Sequence, residues 1–109
     1  ASASVPAFAV DPVTSRIIAT NPAMDGHPLF EGTTKLLEMS IDELTDKSLY
    51  ESLKDLISIS TSNPNNRHSN ILPSNGSESY EIMVKAVISG TKTAYLLFTI
   101  MQVIEEEGS

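Results

Sequence analysis

Two histidines, His27 and His68, are the only imidazoles in the chain, and there is no cysteine. A histidine does catalytic or metal work only beside convergent partners, such as an orienting carboxylate or further ligands at tetrahedral spacing. His27 has Asp25 and Glu31 near it in sequence, but the chain contains no His-x-x-x-His pair. Both histidines therefore read as surface or loop residues, and no metal site is expected. Serines are plentiful, yet none sits in a Gly-x-Ser-x-Gly nucleophile elbow. The 5 glycines are scattered singly, so there is no loop to cradle a phosphate. Without cysteine there is no thiolate zinc, thiol nucleophile or disulfide framework. Asn75-Gly76-Ser77 matches a glycosylation acceptor, but its turn-forming chemistry already explains it. A small isomerase or dehydratase would need an Asp or His aimed into a cavity, and the inner faces read below offer neither. The chemistry left to the chain is that of apolar surfaces.

Composition narrows the setting. The chain has 109 residues, 40% of them hydrophobic, with 14 Asp and Glu against 7 Lys and Arg and a formal net charge of −7. That length and apolar content suit one compact domain with a modest core. The acidity argues against nucleic acid or an anionic membrane surface as partner. No run approaches the ~18–20 apolar residues of a membrane span, and no secretory leader is visible, so a soluble cytoplasmic domain is expected. Residues 1–6 read as a disordered N-terminal segment, and 105–109, with Glu105-Glu106-Glu107, as the start of a connector or a cloning scar.

The elements follow from punctuation and period. Phe8-Ala9-Val10 and Arg16 to Thr20 predict two short strands joined by an Asp11-Pro12 turn, with Asn21-Pro22 closing the hairpin. Ser40-Ile41-Asp42-Glu43 fits a capping box, and Ser48-Leu49-Tyr50-Glu51 fits a second. Leu49, Leu53, Leu56 and Ile57 fall on one helical stripe, with the helix ending near Ser58 to Ser60. Ser62 to Asn66 is breaker-rich loop. Arg67 to Leu72 predicts a third strand, and Asn75-Gly76 a hairpin turn. Tyr80 to Ser89 predicts a fourth, with Tyr80, Ile82, Val84, Ala86 and Ile88 on one face; after Gly90-Thr91, Lys92 to Ile104 predicts the fifth. Two strands, a helical middle and three strands with hairpin links give an α+β domain: an antiparallel sheet with helices on one face.

The last strand carries the informative irregularity. Its period-2 faces are Tyr95, Leu97, Thr99, Met101, Val103 and Ala94, Leu96, Phe98, Ile100, Gln102, Ile104, and both are mainly apolar. A sheet covered on one side should show a polar outer face. The pattern predicts that the outer face packs on a second copy or a flanking helix, with Phe8, Tyr95, Leu96, Phe98, Ile100 and Val103 as candidate contacts.

In their order and spacing these landmarks resemble a PAS domain, a small sensory module of signalling proteins, over residues 7–104. Phe8 to Asp11 followed by Arg16 to Ala23 resembles the family's opening hairpin with its Asn-x-Ala ending. Leu29-Phe30-Glu31-Gly32 and Leu36 to Ser40 resemble its short helical segment, with Glu31 as a one-residue insertion. Asn75-Gly76-Ser77 stands where the family has its turn between the third and fourth strands. Gln102-Val103-Ile104 stands where it often has Asp-Ile-Thr. The resemblance implies a PAS-like five-stranded antiparallel sheet with short helices on one face. It also implies a cavity between helices and sheet, with Leu37, Ile41, Leu53, Leu56, Ile57, Tyr80, Ile82 and Thr99 as candidate contacts for a small-molecule ligand. The family's cysteinyl-flavin adduct needs a cysteine and its haem branch a histidine on the long helix. This chain has neither, so neither cofactor is expected. The function implied is a non-enzymatic sensory domain that homodimerises within a larger bacterial signalling protein, such as a histidine kinase or a GGDEF-type cyclic-dinucleotide enzyme. The alternatives are a ligand-free interaction scaffold and, more remotely, the isomerase-type enzyme.

Overall fold

The computed structural model describes residues 5–30, 33, 35–73 and 79–103. Five strands form one sheet: β1 (Ala7–Val10), β2 (Ile17–Thr20), β3 (His68–Pro73), β4 (Ser79–Ser89) and β5 (Lys92–Val103). Their order across the sheet is β2-β1-β5-β4-β3, and every pairing is antiparallel. Between β2 and β3 lie three 3-10 turns, Pro22–Met24, Pro28–Phe30 and Ile41–Glu43, and the helix α1 (Lys47–Ser62). This is the expected α+β arrangement.

The opening hairpin forms for the reason its sequence suggested. The Asp11 carboxylate accepts the Val13 and Thr14 N–H groups at 2.8 and 3.3 Å, while the Ser15 N–H donates to the Asp11 carbonyl at 2.9 Å. An aspartate that bonds the backbone two and three residues on builds its own turn. The β4–β5 hairpin turns through Gly90-Thr91, with Ser89 paired to Lys92. Gly90 has φ +66 and Thr91 is not among the positive-φ residues, the pattern of a two-residue turn led by glycine.

Where α1 begins differs from the sequence expectation. The N-cap is Asp46, whose carboxylate accepts the Leu49 N–H at 3.1 Å, so Ser48 lies inside the first turn and forms no second capping box. Asp46 competes successfully because an ionised carboxylate is the better partner for the positive end of a helix. The first capping box does form, with Ser40 and Glu43 exchanging bonds around the Ile41–Glu43 turn. The helix also runs on to Ser62, where the Asn63 N–H still donates to the Ile59 carbonyl. Ile88 is a further correction. A register shift between Val87 and Ile88 puts it beyond a bulge, and it is exposed instead of lining the core with Tyr80, Ile82, Val84 and Ala86.

The core lies between α1, the 3-10 turns and one face of the sheet. It joins Phe8, Val10 and Ile17 from the first hairpin, Met24, Leu29, Phe30 and Ile41 from the turns, Leu49, Leu53, Leu56 and Ile57 from α1, and the inner faces of β4 and β5. At its centre Phe8 and Phe98 are direct cross-strand partners with stacked rings, centroids 4.9 Å apart. The Phe30 ring meets Phe8 edge-on at 5.6 Å. Adjacent aromatic pairs of this kind add to the stabilisation from buried area. Asn70 on β3 reaches across the layer and donates to the carbonyl and hydroxyl of Ser52 on α1, at 3.4 and 3.2 Å.

Candidate functional site

The structure sorts the final strand's two faces. Leu96, Phe98 and Ile100 point inward and are buried, while Tyr95, Leu97, Thr99, Met101 and Val103 form the outer face. Four of the six candidate partner contacts are thereby corrected. Phe8, Leu96, Phe98 and Ile100 are at most 2% exposed and belong to the core. Period-2 alternation separates two faces but does not say which one meets the helices when both are apolar. Tyr95 and Val103 stand on the outer face, half-buried.

Thr99 also changes sides. Its direct partners are Ala7 and Met83, on the outer face, so it does not line a space between helix and sheet. Leu37 is 44% exposed and lies outside the core, beside a polar cleft of about 530 Å³ shared with Arg16, Lys35, Glu38 and Glu43. The Arg16 guanidinium is engaged there, donating to the Glu38 carbonyl at 2.9 Å. The other six candidate ligand contacts, Ile41, Leu53, Leu56, Ile57, Tyr80 and Ile82, come together in the one buried cluster.

The outer face has a shaped centre that the sequence alone does not reveal. A groove of about 340 Å³ runs over β1, lined by Ala7, Ala9 and Ala19, with Ile18 and Thr20 on one side and Tyr95 and Leu97 on the other. The cause is local. Alanines on the outward positions of β1 and β2 give a low floor beside the bulk of β5. Along β4 the same face turns mixed, with Glu81, Met83 and Lys85 opposite Met101, Thr99 and Leu97. The apolar part of the outer face is thus concentrated on β2, β1 and β5, with Ile18 and Met101 both about half exposed.

The two histidines occupy different settings. On β3, the His68 Nε2 lies 3.1 Å from the Asn63 carbonyl and closes the loop after α1. His27 is not a simple surface residue. It packs edge-on against Tyr80, centroids 5.2 Å apart, and its Nδ1 accepts the Leu29 N–H at 3.2 Å. Burial pushes its pKa below the ordinary value. Nothing in its sequence neighbourhood pointed to Tyr80, which is distant along the chain. Among the described residues no three His, Asp or Glu side chains converge as metal ligands, and no helix is long and apolar enough to cross a membrane. The Asn75-Gly76-Ser77 turn, the Glu31 insertion and Ile104 lie outside the described residues.

No family model matches the chain, and no curated protein matches it in sequence. In three dimensions it is similar to the crystal structure of a sensory box sensor histidine kinase from Vibrio cholerae. That likeness has a TM-score of 0.71 and 17% sequence identity, and it covers 94% of this chain and 84% of that one. At such low identity the likeness speaks for the fold alone: a five-stranded antiparallel sheet with one helix and short 3-10 turns on one face, the α+β architecture of a PAS-like sensory box.

Proposed function

We propose that this domain is a non-enzymatic sensory or regulatory module of a larger signal-transduction protein, and that it acts by pairing with a second copy through its outer sheet face. The observation that carries the reading is the apolar groove over Ala7, Ala9 and Ala19, flanked by Ile18, Tyr95 and Leu97. An open sheet with that surface in water favours association. A second copy is the partner that brings an equally apolar face, and two-fold pairing buries both at once. The sensory part draws on the fold shared with the sensor histidine kinase sensory box. Signalling then amounts to a shift between two dimer geometries, driven by whatever binds them unequally.

Sedimentation velocity over a wide concentration range tests the pairing. A dimer in reversible exchange with monomer is expected, and a strict monomer at the highest concentration rejects it. A ligand-free scaffold is the second reading. It is favoured by the interior, where Ile41, Leu53, Leu56 and Ile82 are at most 2% exposed within one continuous cluster. Native mass spectrometry separates the two, since a small-molecule sensor purifies with bound mass and a scaffold does not.

A further inference from the structure

His27 sits in a run of tight turns between β2 and the core. Its N–H donates to the Met24 carbonyl at 3.1 Å, and its carbonyl accepts the Phe30 N–H at 3.0 Å. Gly26, with φ +69, supplies the left-handed step just before it. The ring lies edge-on against Tyr80 of β4, and Nδ1 accepts the Leu29 N–H at 3.2 Å. A ring nitrogen that accepts a hydrogen bond carries no proton, so the neutral ring holds its proton on Nε2. Protonating Nδ1 removes the acceptor and sets two donors against each other. The residues released by that loss are not peripheral. Leu29 and Phe30 are both buried, and Phe30 packs on Phe8, which stacks on Phe98 in the central strand pair.

We propose that His27 is a proton-operated latch. When neutral it holds the Pro28–Phe30 turn against β4; when protonated it frees that turn and loosens Phe30 from Phe8 and the centre of the sheet. The titratable group facing it from β4 is Tyr80. The Pro22–Met24 and Pro28–Phe30 turns contribute none, and Asp25 on its own loop is exposed. Burial lowers the pKa of His27 from its ordinary value of 6.5. A depressed histidine binds fewer protons folded than unfolded, so its stabilisation is present above 6.5 and is lost as pH falls through the folded value. The latch adds a proton input to the sensory reading, but it rests on the geometry of this turn and operates in monomer and dimer alike.

Nuclear magnetic resonance on the 109-residue chain carrying His68→Gln isolates the His27 ring. Between about pH 8 and about pH 5, three results are expected. The proton sits on Nε2 at the alkaline end, the ring titrates below 6.5, and the Leu29 amide and Phe8 ring signals shift with the same midpoint. A proton on Nδ1, titration at or above 6.5, or Leu29 and Phe8 signals that ignore the titration overturns the latch. Urea unfolding gives the second arm: the midpoint of the parent chain falls on acidification, and His27→Gln flattens that fall. A variant with the parent's slope also overturns the latch. Both measurements run at concentrations where the chain is monomeric, so absence of the proposed dimer leaves them intact.

Discussion

Phe98 illustrates how much a single side chain carries in a domain this small. It is fully buried, stacked on Phe8 and linked through it to Phe30. Truncation to alanine removes both the buried area and the ring contact and leaves a cavity that α1 and the sheet cannot fully close. Phe98→Ala is expected to cost about 3–5 kcal/mol in urea unfolding, much of a typical domain's stability. Ser60 is the opposite case. It lies fully buried on α1, and its hydroxyl has no hydrogen-bond partner among the described residues. Desolvating an unpaired hydroxyl is unfavourable, and alanine is the better helix former. Ser60→Ala should therefore raise the urea midpoint, equivalent to about 1 kcal/mol of added stability; a lower midpoint would show that the hydroxyl has a partner. Single residues were the least legible feature of the sequence. The pattern separated Leu96, Phe98 and Ile100 from Tyr95, Thr99 and Val103, but with both sets apolar it had no means of naming the inner one. The contact of His27 with Tyr80 depends on how the turns after β2 fold back, which no local period records.

At the scale of elements the sequence was more open, because strands and turns announce themselves through local chemistry. Asp11-Pro12 built the first hairpin turn, Gly90 the last, and Ser40 with Glu43 the capping box. The start of α1 is hard to read because two good caps lie two residues apart, and Asp46 prevails over Ser48. That choice is measurable. Asp46→Ala should lower stability by about 1 kcal/mol, while Ser48→Ala, inside the first turn, should change it little. Equal losses for the two variants would place the cap elsewhere. The bulge at Val87/Ile88 was equally hidden, since alternation in the sequence runs unbroken through a point where the ladder slips by one. Neither difference alters the α+β architecture, because strand order and the helix stripe depend on many residues at once.

For the molecule as a whole, the proposed pairing places the outer face at the centre of any test in solution. Leu97 lies opposite Lys85 on that face, so Leu97→Glu gains a cross-strand ion pair in the monomer while placing charge beside the groove. The variant is expected to unfold like the parent chain yet to shift the monomer–dimer equilibrium toward monomer by at least tenfold in dissociation constant. Light scattering that shows equal dimer content in both chains would remove the face from the interface. The central pairing of the sheet has a different consequence. Ala7 near the start of β1 lies beside Thr99 near the end of β5, so the start of one strand and the end of the other share one end of the β1–β5 pair. Pulled apart at those two points, the strands would lose their hydrogen bonds in succession, as a zipper opens, instead of resisting together in shear. A pull applied at those two points is therefore expected to meet low resistance. The sheet would part first between β1 and β5, baring Phe8 and Phe98 while β3 and β4 are still paired.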